Sequence, residues 1–426
     1  MKKVLIIANL FYASPRIPGL AKYLPEFGWQ PIILTVPLGE DPDSRLGPPN
    51  DFKAKNRVVE TYDYVSPRLV SDDRLKVKKS RVSNFKRWFR RSVPLLYKWY
   101  WEVKSYPDTE KKWKSFAIKA GDQLLRNEDV DALISSSSPV TCHIIAKELK
   151  ERHKIPWVAD FRDLWTQNHN YSYSSLRKLF EQRLELKTLA TADALITVSE
   201  FWSKKLSMLH GRKVLTINNG FDPDQISNEK VDLTSAFTIT YTGQIYRKQD
   251  PSKLLLGLKN LISQEVIDPK EVEVRFYGPL NERLEKEVKQ YGMSDIVVQY
   301  GVISRKTSFE RQGESQLLLL LNWEDPEEKG VHTGKIFEYL AAQRPILATG
   351  GFGNDAVETV LQETNSGIYC STVEDIKSAL RDLYREYKLK GKVTYSGNME
   401  EINKYNYQEM ARKFARILDT ITKRGD

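Results

Sequence analysis

Gly330-Val-His-Thr-Gly-Lys-Ile-Phe-Glu-Tyr-Leu-Ala-Ala-Gln-Arg-Pro-Ile-Leu-Ala-Thr349 holds a turn, a helix and a strand in one short run. Thr333-Gly334 is a small-residue turn, 335–342 has helical spacing, and Gln343-Arg344-Pro345 ends that helix ahead of an apolar strand at 346–348. Proline cannot continue a helix, and it biases the residue before it toward extended backbone. A glycine turn feeding a helix start leaves backbone N–H groups free at the positive end of the helix dipole, where a pyrophosphate binds readily. Lys335 adds a charge there, and Glu338, one turn on, is placed to accept two ribose hydroxyls. From the residues alone this is an anion-binding α/β loop; the alternative is that Glu338 is only a solvated helix residue.

Outward from this stretch, short strand-like runs alternate with helix-like segments almost from end to end. The first series is expected at 3–8, 32–36, 132–135, 157–159, 194–198 and 214–217; the second at 238–242, 272–277, 297–299, 316–321, 345–348 and 367–370. Many are nearly continuous β-branched or apolar runs, as parallel strands buried on both faces require. Between them, Leu176, Leu179, Phe180 and Leu184 share helical spacing behind the caps Ser174 and Ser175. Such alternation predicts a doubly wound α/β architecture. The series restarts after the polar stretch 222–235, so two Rossmann-like domains are expected, at 1–224 and 236–404. An amphipathic helix at 405–426 either finishes the second domain or crosses back to the first.

The 426 residues suffice for two sizeable cores, with 40% hydrophobic and 29% charged residues. No apolar run approaches the roughly 20 residues of a membrane span. The opening MKKVLIIANLF reads as a buried first strand, because its apolar stretch is short and no small-residue cleavage site follows. Two cysteines, Cys142 and Cys370, make no disulfide framework and no metal spacing, so a reducing cytoplasm is the expected compartment. The net charge of +10 calls for an anionic partner. It is concentrated at 74–104, with eleven Lys or Arg against one acid, interleaved with Phe85, Trp88, Phe89, Tyr97, Trp99, Tyr100 and Trp101. Basic residues around an aromatic stripe suit an anionic membrane surface. A solvated helical insert whose aromatics cap the first domain is the competing reading. Nucleic acid is not expected, since no nucleic-acid motif accompanies the charge.

The 330–349 stretch resembles the donor-binding signature of glycosyltransferase family 4, retaining enzymes of the two-domain GT-B fold, in a bacterial polysaccharide-type subgroup. That resemblance implies two Rossmann-like domains facing each other across a cleft. It also implies a nucleoside-diphosphate sugar as donor substrate, no cofactor and no metal. Of the family's two glutamates eight positions apart, Glu338 matches the ribose-binding second; the first falls on Gly330. Glu324, Glu327 and Glu328 are the nearby carboxylates. Thr240-Tyr-Thr-Gly243, followed by Gln244-Ile-Tyr-Arg-Lys-Gln249 and Asp250-Pro251, resembles the loop that gives an Arg and a Lys to the donor diphosphate. Arg247 and Lys248 take those roles here, standing in for a metal. Asn9 to Arg16 with Gly19 resembles the first phosphate-side loop, and Pro156 to Trp165, Thr197 to Glu200 and Asn218 to Asp222 resemble the acceptor-side domain.

Asp160, Arg162 and Asp163 end a strand, where open α/β sheets bind ligands. A carboxylate there orients an acceptor hydroxyl, or else an Arg–Asp ion pair braces the loop. The residues implied in transfer are therefore Arg247, Lys248 and Asp163; those implied in donor binding are Gly243, Lys335, Glu338, Gly334, Thr333, His332 and Gly19. Asp41-Pro-Asp43 and Asp222-Pro-Asp224 imitate a metal-binding DxD but read as turns. Gly350 to Asp355 lacks the spacing of a phosphate loop. His332 is a neighbour of the donor site rather than a base. The implied reaction is retaining transfer of a sugar to a glycan or lipid-linked acceptor in surface polysaccharide biosynthesis, in the cytoplasm or on the inner face of the membrane. A nucleotide-sugar epimerase of the same fold and a non-catalytic polyanion-binding protein are the alternatives.

Overall fold

A computed structural model of the chain describes residues 1–10, 15–38, 51–61, 100–226 and 231–423. Most of the basic aromatic stretch 74–104 lies outside them, as does Asp41-Pro-Asp43. The described residues form two compact units. The first comprises 1–198, 202–217 and 411–426; the second comprises 199–201 and 218–410.

The first unit is built on a seven-stranded parallel sheet. Its strands are β1 (Lys2–Ile7), β2 (Trp29–Thr35), β3 (Arg57–Glu60), β4 (Ala132–Ser137), β5 (Trp157–Phe161), β6 (Ala194–Thr197) and β7 (Leu215–Thr216), in the order β3-β2-β1-β4-β5-β6-β7. The register pairs Ile6 with Ile33 on one side and with Ile134 on the other. Val4, Leu5, Ile6 and Ile7 are fully buried, which is the pattern of a central strand covered on both faces. The strand absent from the sequence reading is β3, a half-exposed edge run with little apolar content. The amphipathic C-terminal helix Tyr407–Thr422 ends in this unit: Lys2 Nζ lies 3.0 Å from Asp419 Oδ1, and Trp29 Nε1 donates to the same oxygen at 3.3 Å.

The second unit is built on a six-stranded parallel sheet of β8 (Phe237–Thr242), β9 (Val272–Tyr277), β10 (Val297–Gly301), β11 (Leu317–Leu321), β12 (Ile346–Thr349) and β13 (Gly367–Cys370), ordered β10-β9-β8-β11-β12-β13. Five consecutive leucines make β11, and its alternation splits them. Leu317, Leu319 and Leu321 pack with Leu254, Leu255 and Leu258 on one face, while Leu318 and Leu320 pack with Ile336, Phe337 and Leu340 on the other. Each buried leucine contributes about 1.5–3 kcal/mol relative to exposure. In both sheets the strand order reverses once, at β1/β4 and at β8/β11, and such reversals open a crevice at the carboxyl ends of the strands.

The helix Ser175–Leu189 forms where the spacing of Leu176, Leu179, Phe180 and Leu184 placed one. Ser174 caps it, its side chain accepting the Arg177 N–H, but the residues at apolar spacing do not face the core. Leu176, Leu179 and Phe180 are 46–51% exposed, and the buried side carries Arg177, Glu181, Glu185, Thr188 and Leu189. Apolar spacing located the helix but not the side on which the domain lies. Cys142 and Cys370 are both free and buried. Among the described residues no helix is long and apolar enough to cross a membrane, and no group of three or more His, Cys, Asp or Glu could hold a metal ion.

Candidate functional site

In the second unit the loops after β8, β11 and β12 meet at the strand-order reversal. The chain leaves β8 through Gly243, whose φ of +108° is backbone that side-chain residues rarely adopt. A Cβ there would lie 2.7 Å from Lys335 Cε. Behind it, a Cβ on Gly278 (φ +155°) would lie 2.2 Å from the Gly243 carbonyl oxygen, and Gly243 N–H donates to the Tyr277 carbonyl at 2.6 Å. Two glycines back to back thus let the Lys335 stem lie flat on the loop.

The helix Gly334–Ala342 begins at Thr333, which has the extended backbone of an N-cap (φ −70°, ψ 141°) yet makes no side-chain cap bond. The Thr333 hydroxyl is buried without a hydrogen-bond partner. The Thr333 side chain leaves the first-turn amides to the backbone: Ile336 N–H donates to the Thr333 carbonyl at 3.2 Å, and the Gly334 and Lys335 N–H groups remain available. Gly334 is exposed, and nothing lies within 4 Å of where its Cβ would stand. Neither φ nor packing in this chain demands glycine there; a bound group approaching the backbone would.

Lys335 is half-buried over the rings of Tyr241 and Tyr246, 5.2 and 5.8 Å from their centroids, and burial pulls its ammonium down to about 8 against the attraction of Glu338. Burial raises the Glu338 carboxyl above its ordinary range, opposed by Arg305, whose Nη2 is 3.9 Å away. One helical turn therefore presents the Gly334 and Lys335 amides, a lysine whose pKa burial lowers and a carboxyl whose pKa burial raises. Such perturbed pairs mark binding sites more often than bare surface.

The 244–250 loop is fastened rather than loose. Buried Gln249 donates to the Leu321 carbonyl at 2.8 Å and accepts the Tyr246 N–H at 3.1 Å. Lys248 Nζ reaches Asp325 Oδ2 at 2.5 Å and the buried Glu328 Oε1 at 2.9 Å, and its pKa is raised, first by Asp325 and then by Glu328. Arg247 is exposed, with no ion-pair partner among the described residues. Asp250 Oδ1 accepts the Ser252 N–H at 3.0 Å and pairs with Arg283 at 2.9 Å. Of the carboxylates near Gly330, Glu324 pairs with Lys253 at 2.7 Å and Glu328 with Lys248. His332 Nε2 lies 3.2 Å from the Ala356 carbonyl, its ring edge-on to Phe337. The 350–355 glycines wrap Tyr369, whose hydroxyl binds Asp355 at 2.5 Å and receives the Gly353 N–H at 3.1 Å; that turn serves the fold.

In the first unit, Gly19 sits inside the helix Arg16–Tyr23, buried, its N–H donating to the Pro15 carbonyl, and not in a loop. Asp163 is 40% exposed; its carboxylate lies 3.6 Å from Arg162 Nε and 3.4 Å from the Ser138 N–H. The Arg–Asp brace is thus present. Asp160 is wholly buried in a bidentate pair with Arg16 (3.0 and 2.9 Å) and accepts Ser136 Oγ at 2.9 Å. The sequence reading had no partner for Asp160, because Arg16 lies 144 positions away.

Two doubly wound parallel sheets, each reversing strand order once, define a GT-B-type α/β fold. Residues 19–225, just under half of the chain, match the family model described as Glycosyltransferase Family 4. Sucrose-phosphate synthase from Thermosynechococcus elongatus is similar at 11% identity, covering 99% of both chains with a TM-score of 0.64. Alr3699/HepE of Anabaena, solved in complex with UDP and glucose, is similar at 12% identity, covering 99% of this chain and all of that one, with a TM-score of 0.62. An α,α-trehalose 6-phosphate synthase from Burkholderia multivorans matches over the full length of both chains at 12% identity and a TM-score of 0.59. At these identities the likeness is one of fold. No curated protein matches the sequence.

Proposed function

We propose that this glycosyltransferase takes its sugar from a nucleoside-diphosphate sugar bound to the second unit, and transfers it with retention of configuration to a glycan or lipid-linked acceptor. The observation that carries the donor assignment is the uncapped start of the Gly334–Ala342 helix, with Gly334 open to solvent and Lys335 laid across Gly243. In this reading the first-turn amides and Lys335 hold the diphosphate, and Glu338 accepts the ribose hydroxyls. Arg247, exposed beside them, meets the departing phosphate. Lys248 acts mainly by fixing the loop through Asp325 and Glu328. The charge that develops on the diphosphate is met without a metal, and the diphosphate takes the acceptor proton on the face it leaves. Asp163 orients the acceptor, and His332 lies beside the donor site.

The basic aromatic stretch 74–104 supports a lipid-linked acceptor, since it would hold the enzyme on an anionic inner membrane face during surface polysaccharide assembly. The decisive experiment is calorimetric titration with UDP, GDP, CDP, ADP and dTDP in the absence of metal. Selective binding of one, lost in Glu338→Ala, is expected; binding to none, or binding indifferent to that substitution, would overturn the donor site. Turnover of the matching nucleotide sugar without any acceptor, yielding an epimer, would point instead to an epimerase.

A further inference from the structure

The Ser175–Leu189 helix is amphipathic with its polar side inward. Arg177 is buried, donating to Glu181 at 2.5 Å and to the Ser105 and Pro107 carbonyls at 3.0 and 3.1 Å, with its guanidinium 3.4 Å from the Tyr173 ring centroid. Glu185, also buried, accepts the Thr166 N–H at 3.1 Å and its hydroxyl at 2.5 Å, and lies 3.3 Å from His210 Nε2. Buried charges are costly even when paired, and apolar residues of similar volume commonly replace them without loss. A helix that keeps both its acids and Arg177 inside and its leucines outside is therefore not arranged for water on the outer side.

That outer side carries Leu176, Leu179, Phe180 and Leu186, at 49, 46, 51 and 37% exposure, together with Arg183 and Lys187. Both acids of the helix, Glu181 and Glu185, are on the inner side, so the outward face is apolar and basic with no acid. Arg177 and Ser174 tie the helix to residues 102–107, where Tyr100 and Val103 are 57 and 69% exposed and Lys104 stands over the Tyr100 and Trp101 rings. Exposed apolar side chains gathered on neighbouring elements in this way mark an interaction site. Leucine and aromatic side chains flanked by lysine and arginine are the composition of a surface that enters an anionic headgroup layer, the rings at headgroup level and the cations against the phosphates.

We propose that the outward face of this helix, with Tyr100 and Val103, is the docking surface by which the first unit seats on an anionic lipid bilayer. The proposal deepens the membrane part of the function above and rests on it for the partner, while donor binding is independent of it. The test is flotation of the full chain with vesicles of phosphatidylcholine, with and without 30% phosphatidylglycerol (about that fraction suffices for a negative surface). The intact protein is expected to float with the anionic vesicles only. Leu179→Glu/Phe180→Glu, at exposed positions where the fold tolerates charge, is expected to lower the partition coefficient by about 10- to 100-fold. Arg183→Glu/Lys187→Glu is expected to abolish the anionic preference and its salt sensitivity. Nucleotide titration of the same variants should be unchanged, which separates failure of the docking surface from failure of the donor site.

Vesicle binding by Leu179→Glu/Phe180→Glu equal to that of the intact protein would overturn the proposal while leaving another membrane contact in place. No binding by the intact protein would overturn both membrane readings. Concentration-dependent dimerisation abolished by the same variants, without vesicle binding, would assign the face to a second copy of the chain.

Discussion

With the diphosphate placed as proposed, Lys335 brings a titration close to neutral pH beside it, and donor affinity becomes pH-dependent in a direction fixed beforehand. Burial lowers its pKa to about 8, whereas a diphosphate bound beside it stabilises the ammonium and returns the pKa toward the ordinary lysine value. The complex then holds more protons than the free protein above pH 8, so affinity is full below that pH and falls as pH rises. At pH 9 about one-tenth of the free protein carries the proton, so affinity drops roughly tenfold between pH 7 and pH 9. The nucleotide's own phosphates are ionised throughout that interval, their last pKa being near 6. Calorimetry in buffers of different ionisation enthalpy reads the same event as uptake of about half a proton per site at pH 8. Lys335→Met should bind about 10- to 100-fold more weakly at pH 7, the cost of losing a charged hydrogen bond. It should also show no such slope. A flat profile in the intact protein, or an unchanged slope in Lys335→Met, would refute the placement of Lys335 against the diphosphate.

Gly334→Ala meets nothing in the unliganded chain and should leave stability unchanged or raise it by up to about 1 kcal/mol, while nucleotide affinity in the same titration falls. Gly278→Ala forces a Cβ onto the Gly243 carbonyl and should lose about 1–3 kcal/mol in denaturant unfolding, with the donor site lost as well. Asp160→Ala strips the buried Arg16 of its carboxylate and should cost about 3–5 kcal/mol. Arg16→Met/Asp160→Leu should cost clearly less, and equal losses in the two would show that the pair is not the source.

The central strands were legible because both their faces are covered, as in the apolar run Leu317–Leu321, whereas the edge strand β3, half in solvent, carries no such signature. The core of the proposed donor site is local in sequence, since Thr333, Gly334, Lys335 and Glu338 fall within two helical turns. What surrounds it is not. Lys248 finds Asp325 and Glu328 across 77 and 80 positions, and Lys253 finds Glu324 through the same fastening, so no spacing rule could have tied these carboxylates to those cations. The Ser175–Leu189 helix is a third case: spacing gives the apolar side of a helix, and only packing gives the side on which the domain lies.

The helix Tyr407–Thr422 also sets an order of assembly during synthesis. Phe414 and Leu418 are fully buried, Phe414 lies beneath Arg16, and Asp419 meets Lys2 and Trp29, so the first sheet is completed by residues made after the whole of the second unit. The second unit, contiguous from 218 to 410 apart from three residues, has all its strands before that helix appears. Domains ordinarily fold in the order they are made, the N-terminal one first. In this chain the unit that starts first closes last, and until it does, the groove that will take Phe414 and Leu418 remains uncovered on the nascent protein.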